Sequence, residues 1–190
     1  MKKLLFVFPF LFSICWGEMR TELLIGPEEI AYRLDEVART INREYADQEL
    51  TVVMIMKGAI CVTADLIRRL HMPVTLEYVR ASSYGQNGTS RGNLKIIGLD
   101  ELNLTDKNVL LIDDIFDTGH TMTTLMAHVK DKNPKSLKSL VLLLKNTPRQ
   151  ITYVPEYVIL PVEDRFVVGY GLDYKELYRG LPGIYCLHLE

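Results

Sequence analysis

Val109-Leu110-Leu111-Ile112-Asp113-Asp114-Ile115-Phe116-Asp117-Thr118-Gly119-His120-Thr121-Met122 is the stretch whose reading decides the fold. It opens on four apolar residues, and so short a run of branched side chains suits a strand buried on both faces of a parallel sheet. Two carboxylates, Asp113 and Asp114, follow at the expected strand end. Beyond Asp117 comes a turn of small residues, Thr118-Gly119-His120-Thr121. Met122, Leu125, Met126 and Val129 then have the spacing of one helix face.

A turn from strand to helix is a place for an anion. The first N–H groups of the helix lack internal partners, and the helix dipole favours negative charge there. Gly119 permits close backbone approach, and Thr118 and Thr121 add hydroxyl donors. Three carboxylates crowd the same turn and alone would repel a phosphate. The conflict resolves if they accept hydrogen bonds from sugar hydroxyls or act through a divalent metal. Hard oxygen ligands beside a phosphate-bearing substrate favour Mg²⁺.

Outward from this stretch, helix and strand patterns alternate. Thr21 to Ile25 is a short apolar lead. Gly26-Pro27-Glu28-Glu29 starts a helix, with Pro at its first position and acids in its first turn, and Ile30, Leu34, Val37, Ile41 and Tyr45 continue one face. Leu50 to Met56 reads as a strand, broken by Lys57-Gly58-Ala59 before a helix over about 60–70. Val74, Leu76 and Tyr78 alternate with more polar neighbours in the next strand. Residues 81–93, small, polar and glycine-rich, read as a loop with the length of a lid. Strands are expected over 94–98, 139–144, 158–160, 166–170 and 184–189. The alternation predicts a parallel, doubly wound α/β sheet, with a small cap built from the N- and C-terminal segments. In such sheets ligands bind at the carboxyl ends of the strands, where Lys57, Asp113, Asp114 and Lys145 all fall.

At 190 residues the chain suits one domain with a sizeable core, and 48% hydrophobic with 24% charged residues is the balance of a globular protein. A formal net charge of −2 gives no bulk footprint for nucleic acid. Cys15, Cys61 and Cys186 have neither disulfide-framework nor metal-ligand spacing.

The quoted stretch resembles the 5-phosphoribosyl-1-pyrophosphate (PRPP) loop of type I phosphoribosyltransferases: four apolar residues, two acids, two apolar residues, then Asp-Thr-Gly-x-Thr. From about Thr21 onward the chain resembles the hypoxanthine-guanine phosphoribosyltransferases. The match is carried by Met56-Lys57-Gly58, Ser82-Ser83-Tyr84-Gly85, the Asp113–Thr121 segment and Phe166-Val167-Val168-Gly169-Tyr170-Gly171-Leu172-Asp173-Tyr174, with Lys145 and Arg179 at family positions. The resemblance implies transfer of a 5-phosphoribosyl group from PRPP to N9 of a 6-oxopurine, with Mg²⁺, in a homodimer or homotetramer. It implies that Lys57, Gly58 and Arg179 bind pyrophosphate, that the Met56–Lys57 peptide can be cis, and that Ser83 and Tyr84 close as a lid. Thr118, Gly119, His120 and Thr121 would surround the 5′-phosphate, with the His120 side chain facing solvent. Asp113, standing where many relatives carry Glu, and Asp114 would take the ribose hydroxyls and position the metal. Asp117 would be the general base near purine N7, and Lys145 would donate to O6. Phe166 would stack on the base and Val167 would offer backbone groups. Asp173 would serve a second metal or the edge of the base.

One stretch departs from the family. Where many relatives have Gly-Phe-Glu-Ile-Pro-Asp-Lys before the stacking residue, this chain has Val158-Ile159-Leu160-Pro161-Val162-Glu163-Asp164-Arg165, with the proline moved by two places. Rival readings are a receiver domain, an RNA-binding regulator on the same fold, and a relative acting on xanthine or a pyrimidine. A receiver leaves Asp-Thr-Gly-x-Thr unexplained, and Lys145 with Phe166-Val167 favours a 6-oxopurine. Residues 1–18 carry Lys2 and Lys3 before an apolar run, as a secretory signal does, and are too short for a membrane span. Either they are a targeting peptide or translation starts at Met19. Because the implied substrates are cytosolic, the expectation is a Met19 start, a working domain over 19–190, and a cytoplasmic enzyme with neither nucleic acid nor membrane as partner.

Overall fold

A computed structural model describes residues 20–83, 94–147 and 152–188. In chain order the elements are β1 (Thr21–Ile25), α1 (Pro27–Glu44), β2 (Leu50–Met56), α2 (Ile60–Ile67), β3 (Val74–Ser83), β4 (Leu94–Ile97), β5 (Asn108–Phe116), α3 (His120–Lys130), β6 (Ser136–Lys145), β7 (Tyr157–Val162), β8 (Val167–Val168) and β9 (Ile184–Leu187). The expectation for residues 1–18 lies outside the described residues, as does most of the segment read as a lid.

The main sheet has six strands in the order β4-β3-β2-β5-β6-β7. All neighbours run parallel except β4, which returns antiparallel on β3. Its central strands are apolar throughout because both faces are covered. Val52, Met54, Leu110, Ile112, Leu140 and Leu142 pack with Ile30, Leu34, Ile41, Val62 and Leu66 of α1 and α2. On the opposite face Val53, Ile55, Val109, Leu111 and Val141 pack with Met122, Leu125 and Val129 of α3. This is the doubly wound arrangement that the alternation predicts.

α1 has Pro27 at its start, Glu28 and Glu29 in its first turn and Arg43 in its last, each matched to the helix dipole. Ile30, Leu34, Ala38 and Ile41 are its buried face, and each large side chain among them contributes about 1.5–3 kcal/mol by leaving water. α2 stops at Ile67, earlier than its apolar pattern promises. Pro161 is tolerated in β7 because that strand lies at the sheet edge.

The cap is a second, three-stranded sheet in the order β1-β9-β8, which joins the start of the chain to its end. The apolar lead at 21–25 is therefore its edge strand, and β8 is only Val167–Val168, shorter than its apolar run. On β3 the alternating side chains Leu76 and Tyr78 are exposed rather than buried, and Ile97, in register with Arg80, joins them on that face.

Two features of the topology place a site. β2 and β5 are neighbours, but the chain leaves β2 toward β3 on one side and continues from β5 toward β6 on the other. Such a reversal opens a crevice above the carboxyl ends of the two strands. The loop after β2 and the Asp113–Thr121 segment both rise into it.

Candidate active site

β5 runs to Phe116, so the acidic pair lies within the strand and not after it, which corrects the expected boundary. The extra strand residues aim the pair. Asp113 is buried, and its Oδ1 accepts the N–H of Asp114 at 3.0 Å. Asp114 Oδ1 in turn accepts the Ile115 N–H at 2.8 Å. Burial, and then the charge of Asp114, pushes the Asp113 carboxyl well above the usual range. Burial also raises Asp114, against the pull of these hydrogen bonds and of Arg179. Two carboxylates in this state gain from a cation or from hydroxyl donors.

A cavity of about 390 Å³ opens over them, lined by Lys57, Gly58, Arg80, Asp113, Asp114, Thr121, Asp173, Glu176 and Arg179 among others. The Met56–Lys57 peptide is cis, as the resemblance implied. Gly58 sits so close to the acidic pair that a Cβ there would lie 1.6 Å from Asp114 Oδ2. A Cβ on Gly171, in the loop after β8, would lie 2.1 Å from the Gly58 carbonyl oxygen. These two glycines let the cap, the loop after β2 and the acidic pair close on one another.

Arg179 reaches the cavity from the cap side. It donates to the Gly171 carbonyl at 2.8 Å and pairs with Asp173 Oδ1 at 2.7 Å. Asp173 Oδ2 accepts the Glu176 N–H at 2.8 Å, so one carboxylate orders both the arginine and the turn before it. Lys57 Nζ lies 2.9 Å from Glu176 Oε2, and Arg179 Nη2 lies 3.1 Å from the same oxygen. Lys57 foremost, and then Arg179, holds the Glu176 carboxyl below its ordinary range.

Of the remaining expected residues, Asp117 and Lys145 meet above β5 and β6. Lys145 Nζ, at the end of β6, lies 3.5 Å from Asp117 Oδ2 and 3.1 Å from Asp164 Oδ1. Lys145 is largely buried while Asp117 is half exposed. Phe166 is exposed and meets Tyr174 in a T-shaped contact with ring centroids 5.5 Å apart. Val167 is buried in β8 opposite Cys186.

Gly119 caps α3 in the left-handed conformation at φ 81°, against the ring of Phe116. The Thr118–Thr121 turn is thus the start of α3, with Thr121 on the cavity wall and His120 exposed. The Ser83 side chain and Tyr84 lie outside the described residues.

Glu176, Arg80 and Asp164 were not expected. Arg80 carried a legible signal, a charge near the end of a strand that pairs with β2. Glu176 and Asp164 carried none, because only loop geometry brings them in. Among the described residues no group of three or more His, Cys, Asp or Glu side chains is placed to hold a metal ion. Asp113, Asp114 and Asp173 nonetheless share the cavity, and their oxygens are the donor type that suits a hard cation. Among those residues, too, no helix is long and apolar enough to cross a membrane.

Residues 20–175 match the phosphoribosyl transferase domain family. A hypoxanthine-guanine phosphoribosyltransferase of Aquifex aeolicus (strain VF5) is 39% identical over 169 residues, which span 88% of this chain and 95% of that protein. The crystal structure of a Bacillus anthracis hypoxanthine-guanine phosphoribosyltransferase with a HEPES molecule in its active site superposes with a TM-score of 0.83 at 37% identity, covering 90% of this chain and 100% of that one. Trypanosoma cruzi hypoxanthine phosphoribosyltransferase in complex with the product IMP gives a TM-score of 0.81 at 33% identity, covering 91% and 96%. With its fold, its paired acids at the switch point and these relatives in agreement, the chain belongs to the hypoxanthine-guanine phosphoribosyltransferase family of enzymes.

Proposed function

We propose that this enzyme transfers the 5-phosphoribosyl group of PRPP to N9 of hypoxanthine, and of guanine, as a step of purine salvage. The C1′–O bond to pyrophosphate breaks, the C1′–N9 bond forms, and the base loses its proton. The observation that carries this reading is the meeting, above β2, β5 and β6, of an acid pair, two cations and a carboxylate–lysine couple.

Asp113 and Asp114 accept the ribose 2′- and 3′-hydroxyls, and the amides and hydroxyls of Thr118 to Thr121 take the 5′-phosphate. Lys57, the Gly58 amide and Arg179 hold the leaving pyrophosphate. Asp117 takes the purine proton, and Lys145 donates to O6, which selects 6-oxopurines over adenine. Phe166 stacks on the base, and Val167 offers its backbone. Ser83 and Tyr84 exclude water from an oxocarbenium-like transition state. Asp113, Asp114 and Asp173 are the side chains that would hold Mg²⁺, which when bound would supply charge neutralisation for the leaving diphosphate.

The exposed apolar group of Leu76, Tyr78 and Ile97 supports a homodimer or homotetramer. The reading puts the working domain, residues 19–190, in the cytoplasm with its nucleotide substrates. The test is purified protein with PRPP, Mg²⁺ and each base in turn. Nucleotide absorbance should rise with hypoxanthine and guanine and stay flat with adenine; no rise with any 6-oxopurine would end the reading.

A further inference from the structure

Glu176 is the cavity-lining carboxylate to which the phosphoribosyl transfer just described gives no part. One oxygen, Oε2, sits 2.9 Å from Lys57 Nζ and 3.1 Å from Arg179 Nη2, the two cations read above as the grip on pyrophosphate. Those cations come from chain segments far apart in sequence, the loop after β2 and the loop between β8 and β9. An oxygen anion between them stands where a diphosphate oxygen would make the same two bonds.

The surroundings keep the main chain of Glu176 in place and leave its carboxylate free to go. The backbone at Lys175, Glu176 and Tyr178 is left-handed, with φ of 51°, 65° and 74°. Each such residue is strained and persists only where neighbours hold it. The holding bonds are Glu176 N–H to Asp173 at 2.8 Å and the paired backbone bonds between Tyr174 and Leu177 at 3.1 and 2.9 Å. None of them involves the Glu176 carboxylate. The side chain is 65% exposed, so it can swing into solvent without unpacking anything. Arg179 would keep Gly171 and Asp173 as partners and stay aimed at the cavity.

We propose that Glu176 is an internal stand-in for pyrophosphate: its carboxylate bridges Lys57 and Arg179, and the incoming diphosphate displaces it. The proposal rests on the reading of this cavity as the pyrophosphate site. Its consequence is a cradle assembled before substrate arrives and a competitor that eases the product out. A fixed clamp, which would position the cations and remain in place, makes the opposite prediction.

Calorimetric titration of inorganic pyrophosphate into parent protein, Glu176→Gln and Glu176→Ala, with Mg²⁺ at neutral pH, separates the two. Exposed ion pairs are weak, so displacement predicts a Kd about three- to tenfold tighter in both variants. The inhibition constant of pyrophosphate as product should fall by the same factor, with the KM for the base unchanged. Equal or weaker binding by the variants, with the parent still binding, overturns the stand-in and leaves the cavity reading standing. Failure of the parent to bind pyrophosphate removes both. The alanine variant guards against a residual glutamine bridge, and unchanged melting temperatures exclude a folding effect.

Discussion

The site has two halves that solve different electrostatic problems. Above β2 and β5, carboxylates and cations crowd one cavity, and each sign is partly answered within the protein, Arg179 by Asp173 and Glu176, Lys57 by Glu176. Above β5 and β6 the largely buried cation Lys145 sits between the carboxylates of Asp117 and Asp164. The first half is suited to a highly charged ligand carrying its own cation. The second is suited to a flat, neutral ligand that needs one donor and one acceptor. If the halves are this distinct, changes in one should spare the other.

The largest effect should come from Asp117→Asn, which keeps the shape and removes the carboxylate proposed as the base. kcat should fall by about 10² to 10⁴, with the KM for PRPP nearly unchanged in steady-state kinetics. Equal turnover would remove Asp117 from the chemistry. On the other side, Gly58→Ala forces a methyl group into the Asp114 carboxylate. Displacing a positioning group by about 1 Å can cost ~10²-fold, so kcat/KM for PRPP should drop by about that factor. Isothermal titration should find binding of the base little altered.

Lys145→Ala should raise the KM for hypoxanthine and guanine by about ten- to a hundredfold, the worth of a hydrogen bond from a charged group. Pyrophosphate binding should not change, and an unchanged KM for both bases would contradict the role at O6. The smallest effect is on stability. Asp113→Asn can still accept the Asp114 N–H while relieving a buried charge. The melting temperature should rise by about 2–4 °C for each ~1 kcal/mol relieved, while activity falls. Because burial raises the folded pKa of Asp113, its ionisation costs stability as pH rises. The gain over the parent should therefore close as pH falls from the raised folded pKa of Asp113 into the usual carboxylate range. A gap that widens in acid would reverse the account.

The sequence carried the fold class because periodicity is a local property. The apolar run at Val109 to Ile112 suits a doubly covered strand, and Pro27 with Glu28 and Glu29 marks a helix start matched to its dipole. Its weakest points were the boundaries. β5 continues through Asp113 and Asp114 to Phe116, because Ile115 and Phe116 pair with Leu143 and Leu144 of β6, a contact no local pattern records. The alternation at Leu76 and Tyr78 did not say which face they take, and their exposure follows from the place of β3 near the sheet edge.

The sequence by itself determined the chemistry on offer at the central turn: a buried strand, two acids, a base and a helix start within one short stretch, each dictated by neighbours along the chain. Only the tertiary structure decided what those groups face. Strand order set the crevice at β2 and β5, the cap brought Arg179 and Glu176 to Lys57, and the loop after β7 brought Asp164 to Lys145. The physical reason is distance along the chain. A charge is paired by whatever the fold packs against it, and here most of the partners lie far away in sequence.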